Sequence, residues 1–105
     1  MHEIFLDLAS KTLNELSVYL EKFDEFLEID FIDNNISIET DEGKVFIISI
    51  HEPLTQIWYS SPISGAHHFE MGEEKDIFSW ISTRNKKIFL FELLKQEIEE
   101  VINHA

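Results

Sequence analysis

The sequence contains no cysteine. Disulfides, thiolate metal ligands and thiol nucleophiles are therefore excluded together, a cysteine-held iron-sulfur cluster among them, and a reducing compartment is the natural setting. Only three glycines and two prolines interrupt the 105 residues, and no serine- or glutamine-rich tract occurs, so long flexible linkers and disorder have little support. No apolar run approaches the ~20 residues a membrane-spanning helix requires. Met1 to Ser10 lacks the basic flank and apolar centre of a signal peptide, and no arginine-rich transit segment is present, so the expectation is a soluble, cytoplasmic protein. Basic residues are scarce as well, 8 against 21 acids, for a formal net charge of -13. A phosphate backbone or an anionic lipid surface demands the opposite sign, so neither nucleic acid nor membrane is expected as a partner.

What is present fits one folding unit over residues 1–105, with 44% hydrophobic and 12% aromatic residues. The charge is unevenly spread. From Met1 to Glu42 twelve acids face only Lys11 and Lys22, while Gly43 to Gly72 holds Glu52 and Glu70 against Lys44. An acidic front joined to a nearly neutral middle implies two different surfaces.

Phe5, Leu8, Ala9, Leu13, Leu16, Leu20 and Phe23 recur every three or four positions, which predicts a helix from Glu3 to Phe23 with Glu3, Asp7, Lys11, Glu15 and Glu21 on its solvated faces. Alternation over Glu28–Phe31 and Ile36–Thr40, around Asp33-Asn34-Asn35, predicts a hairpin. Val45–Ile50 and Gln56–Ser60 are β-branched and aromatic, so each predicts a strand, and Ala66–Met71 returns as a fifth after the Pro62–Gly65 turn. Gly72–Asp76 is expected to be a loop and Ile77–Ile81 a short edge strand. Ser82-Thr83-Arg84-Asn85 offers capping chemistry before a last helix from Lys87 to Asn103, whose apolar stripe is Phe91, Leu94, Ile98, Val101 and Ile102. Helix, five or six sequential strands, helix reads as an α+β two-layer sandwich, an antiparallel meander with both helices on one face and the other face open.

The segment Gln56-Ile57-Trp58-Tyr59-Ser60-Ser61-Pro62-Ile63-Ser64-Gly65, preceded by Glu52-Pro53 and followed by His67-His68-Phe69-Glu70, resembles the signature strand pair of the frataxin family. The helix-strands-helix order agrees with that family along essentially the whole chain. The resemblance implies weak binding of ferrous and ferric iron by surface carboxylates, no organic cofactor, and contact with a cysteine desulfurase and an iron-sulfur scaffold protein. It places the chain in the bacterial branch, as a regulator of the desulfurase or an iron carrier, and implies a monomer that iron can drive to oligomerise. The family's acidic ridge falls on Glu21, Asp24, Glu25, Glu28 and Asp30, with Glu15 and Asp7 further back. Ser17, Val18 and Lys22 stand where relatives commonly place acids. Trp58 and Gln56 match contact positions for the assembly complex. Ser49, His51 and His68 stand where the eukaryotic branch has asparagine, glutamine and arginine.

Other chemistries find less in the residues themselves. On charge alone the acidic front is a solubilising surface. A ferroxidase or iron-storage protein would place bridging carboxylates and histidine at Glu-x-x-His spacing on facing helices, and that pattern is missing. His67 and His68, adjacent on a strand, point to opposite faces and cannot chelate together. Ser60, Ser61 and Ser64 show no triad arrangement, and no phosphate-binding glycine loop exists.

Overall fold

The computed structural model describes residues 2–74 and 77–103. Helix α1 spans His2–Leu20, and the strands β1 to β6 are Leu27–Ile32, Asn35–Thr40, Val45–His51, Gln56–Ser61, Gly65–Glu74 and Ile77–Ser82; helix α2 spans Leu90–Asn103. The strands form one sheet in sequential order, every neighbouring pair antiparallel, as the meander reading expects. Phe5, Ala9, Leu13, Leu16 and Leu20 of α1 and Leu90, Leu94 and Ile98 of α2 pack with Ile36, Ile38, Phe46, Ile48, Ile57, Tyr59, Phe69 and Trp80 of the sheet. Both helices thus cover one sheet face, and the alternate strand residues are left on the other.

The departures from expectation occur at element ends. The α-helix stops at Leu20 and a 3-10 turn, Glu21–Phe23, follows, the usual tightening of a last turn. Gly72 to Glu74 are strand rather than loop: the Ile81 side chain lies over Gly72, so close that a Cβ there would meet its Cδ1, and a glycine inside a strand marks such an approach. Lys75 and Asp76, the rest of that expected loop, lie outside the described residues. The last helix begins at Leu90, not Lys87. Ser82 Oγ accepts the N–H groups of Arg84 and Asn85, and Asn85 Oδ1 accepts that of Lys87, so the capping chemistry builds turns instead. Ile88 and Phe89 then run beside β6, with Ser82 N–H donating to Ile88 O and Phe89 bridging Ile81. That short extended pairing holds the helix off until Leu90. The buried stripe of α2 is therefore Leu90, Leu94, Glu97 and Ile98, while Phe91 is 42% exposed with its ring 5.6 Å from that of Tyr19.

Two non-glycine residues with left-handed backbone sit in the hairpin turns. Asp33, φ 55°, links β1 to β2, and a short polar side chain tolerates that conformation. Thr55, φ 50°, closes the Glu52–Thr55 turn before β4, where a β-branched residue is strained; its hydroxyl donates to Leu54 O at 2.7 Å. Thr55→Gly is expected to stabilise the fold by about 0.5–1 kcal/mol, since relief of the left-handed penalty outweighs the entropy that glycine loses. A urea midpoint that falls instead would show the hydroxyl bond to matter more than the strain.

Candidate functional site on the uncovered sheet face

The register of β3, β4 and β5 sets the site. Ser49, Trp58 and His68 form one cross-strand row, and His51, Gln56 and Glu70 form the next. On β4, Ile57 and Tyr59 are buried, so Gln56 and Trp58 project from the opposite face. His51 reaches diagonally to Trp58 with ring centroids 3.8 Å apart and planes 11° from parallel, and His68 covers the other face of the indole at 4.3 Å and 10°. The indole Nε1–H donates to Gln56 Oε1 at 2.8 Å. Trp58 is thus held at three points, and its rotamer entropy is spent before any partner arrives. The five residues expected to meet a partner, Gln56, Trp58, Ser49, His51 and His68, converge on this one face. His67 does point the other way, its ring stacked on Tyr59 and Phe69. Ser64 Oγ lies 2.8 Å from His67 Nε2, and no carboxylate is hydrogen-bonded to this imidazole among the described residues.

The acidic residues line the adjoining border. Glu15 is on the outer side of α1, Glu21 in the 3-10 turn, Asp24 and Glu25 in the connection to β1, and all four are exposed. Leu27 faces the core, so Glu28 and Asp30 of β1 turn to the open face. The row therefore climbs from the end of α1 onto the sheet. None of these six carboxylates has an ion-pair partner among the described residues, where Lys44 pairs instead with Glu42 at 4.0 Å. No three metal-ligating side chains converge on one point among the described residues. Exposed carboxylates arranged in a row hold a hard cation through few ligands each, hence weakly and with little selectivity.

Glu39 was missed by sequence reasoning. The hairpin register pairs it directly with Glu28, two like charges face to face on the open side of β1 and β2, an arrangement that destabilises a sheet. The two-residue Asp33-Asn34 turn fixes that pairing, so counting back from it would have found it.

The profile of the frataxin-like domain matches residues 1–104. A mitochondrial frataxin-like protein of Leishmania donovani is 38% identical over 67% of this chain and 39% of its own length. The iron-sulfur cluster assembly protein CyaY of Thioalkalivibrio sulfidiphilus is 33% identical over 72% of this chain and 70% of its own. Mitochondrial frataxin of Arabidopsis thaliana is 31% identical over 94% of this chain and 54% of its length. The chain thus spans well under two thirds of two of these relatives. In structure, a frataxin from Psychromonas ingrahamii superposes with a TM-score of 0.78 at 19% identity, covering 94% of this chain and 89% of its own. Trimeric frataxin from the yeast Saccharomyces cerevisiae, complexed with ferrous, superposes at 0.76 with 27% identity over 90% of this chain and 85% of its own. With a profile match over residues 1–104 and a CyaY relative 33% identical over more than two thirds of both chains, this chain belongs to the frataxin family.

Proposed function

We propose that this chain works in iron-sulfur cluster assembly as a binding protein rather than a catalyst, folded as one domain over residues 1–105. The relatives named CyaY for that process support the assignment of process, and the ferrous complex of the yeast relative supports iron as the cargo or signal. The observation that carries the reading is the unpaired row Glu21, Asp24, Glu25, Glu28 and Asp30, continuous with a face on which Trp58 is already fixed. The acidic row docks on a basic patch of a cysteine desulfurase, and the Trp58 face meets the scaffold protein or a neighbouring surface of the same assembly. Complementary charge accelerates such docking and makes it sensitive to salt, while a fixed aromatic supplies the anchor.

Ferrous or ferric iron binds the same row weakly, with Glu15 at its far end. A cation between Glu28 and Glu39 would offset their cross-strand repulsion, which gives iron a reason to choose that stretch. Iron on the row lowers its negative charge and with it the attraction to the desulfurase, so the protein reports iron supply to the machinery. In the absence of iron the chain is monomeric, and iron bridging between acidic rows drives oligomers.

Replacing Glu21, Asp24 and Glu28 together by lysine is expected to abolish binding to the cysteine desulfurase of the same organism, measured by calorimetry at low and high salt. Wild-type affinity should fall with salt and with anaerobic ferrous iron. Unchanged affinity of the triple variant at low salt rejects docking through the acidic row.

A further inference from the structure

Both π-faces of Trp58 are occupied within the chain itself, by His51 from β3 and His68 from β5. A partner group therefore cannot stack on the indole. It meets the indole edge, the Gln56 amide and the outer faces of two imidazoles. Imidazole is the ordinary side chain whose charge changes between about pH 5 and 8. A protonated imidazole is attracted to an indole face, so the stack persists in either state and only its charge changes. The consequence depends on what surrounds it.

The charged side chains that the strands place on this face, among the described residues, are Glu28, Asp30, Glu39 and Glu70, all acidic. Such a face fits a basic partner surface. Around the stack itself acids and bases are mixed. Glu70 lies on β5 two residues from His68, and Glu52 follows His51 in the turn to β4. Arg84 follows Thr83, whose N–H donates to the His68 carbonyl, and Lys86 shares a shallow recess with Glu70 and Ile81. Strand β4 carries no charge, and the β1–β2 hairpin beside the end of β3 holds Asn34 and Asn35 with the acidic Asp33 before them. Protonation of the two imidazoles therefore changes the charge at the centre of the face by up to two positive charges.

We propose that His51 and His68 make docking through Trp58 proton-sensitive: a basic partner surface is held while the imidazoles are neutral and released when they are protonated. The idea rests on the docking reading above and adds its regulation. No covalent step is involved, and either histidine alone contributes half of the charge change.

Two measurements separate the proposal from that reading. In the free protein, indole emission is followed from about pH 8 to about pH 6, with Trp58→Phe, which leaves Trp80 as the sole indole, subtracted as background. A protonated imidazole in contact quenches indole emission, so the wild type dims as pH falls and His51→Gln/His68→Gln does not. In parallel, affinity for the desulfurase–scaffold pair is measured at both pH values. Wild-type affinity drops about tenfold at the lower pH, the scale of a like-charge contact largely screened by water, and the double variant loses that extra dependence. Equal dimming in the double variant, or equal pH dependence of binding in both proteins, overturns the proposal. Dimming without any binding at either pH overturns the docking reading instead. The His51→Gln and His68→Gln single variants, each expected to retain about half of the logarithmic change, keep the test valid if the double variant misfolds.

Discussion

Tyr59→Phe is expected to lower the unfolding free energy by about 2–3 kcal/mol, and Tyr59→Phe combined with Glu97→Leu to recover most of that loss. Glu97 is an acidic residue of α2 that is only 4% exposed, and the hydroxyl of Tyr59, a β4 residue 1% exposed, donates to its Oε1 at 2.6 Å. So short a bond between a phenol and a carboxylate belongs to the strong, charge-assisted class. Phenylalanine would keep the ring, which stacks on Phe46 at 6.3 Å, and remove only the donor, leaving a buried carboxylate without it. Removing one partner of a buried polar pair costs the desolvation of the survivor, whereas replacing both by apolar groups of similar shape is close to neutral. Urea midpoints at constant slope decide the matter. A single-variant loss below about 0.5 kcal/mol would mean that the Glu97 carboxylate finds water or another donor when the phenol leaves. The pair has a bearing on function because Tyr59 adjoins Trp58: the bond that pins the inner side of β4 to α2 also fixes the height at which the indole stands on the outer side.

Period and turn chemistry made most of the architecture legible. The α1 stripe from Phe5 to Leu20, the hairpin around Asp33-Asn34-Asn35, whose turn proves to be Asp33-Asn34 with Asn35 already in β2, and the apolar Val45–Ile50 run lie where the sequence places them, because each is set by neighbours within a few positions. What stayed hidden depends on contacts distant in sequence. Ile88 and Phe89 read as the first turn of a helix, yet pairing with β6 holds them extended. Gly72 reads as a loop signal, yet it makes room for Ile81 nine residues on. Glu97 is absent from the apolar stripe that the sequence shows on the last helix, and its burial becomes visible only once Tyr59 is seen beneath it, thirty-eight residues away in sequence. At the site, alternation along β4 put Gln56 and Trp58 on one face, and the family resemblance named His51 and His68. Neither source shows that the two imidazoles close over the same indole, since that requires the offset between β3 and β5 that the two hairpins set.

Above about pH 10, the ordinary value of a phenol, the protein is expected to lose stability steeply and to ionise its tyrosines only as it unfolds. Both tyrosines of the chain resist ionisation in the fold. Burial pushes the Tyr59 hydroxyl far up, and the bond to Glu97 and that carboxylate's negative charge push it further. Burial raises Tyr19 as well, with Glu99 adding to it, and its hydroxyl has no hydrogen-bond partner among the described residues. The sign follows from proton counting. A group raised in the fold contributes stability that is fully present below the unfolded value near pH 10; above it the unfolded chain gives up protons that the folded chain retains, so unfolding gains. Each tyrosine still protonated in the fold then steepens the fall by about 1.4 kcal/mol per pH unit. Net charge, already -13 near neutrality, grows as lysines lose their protons and repulsion adds to the trend. Tyrosinate absorbance and far-UV circular dichroism, followed together through an alkaline titration, should change in one cooperative transition. In Tyr19→Phe the remaining Tyr59 should still ionise only with unfolding. In Tyr59→Phe the slope above pH 10 should be shallower, although the starting stability is lower. In that Tyr19→Phe variant, tyrosinate that accumulates gradually near pH 10 while the dichroism stays native would show the Tyr59 hydroxyl open to solvent, and would overturn the buried bond between β4 and α2.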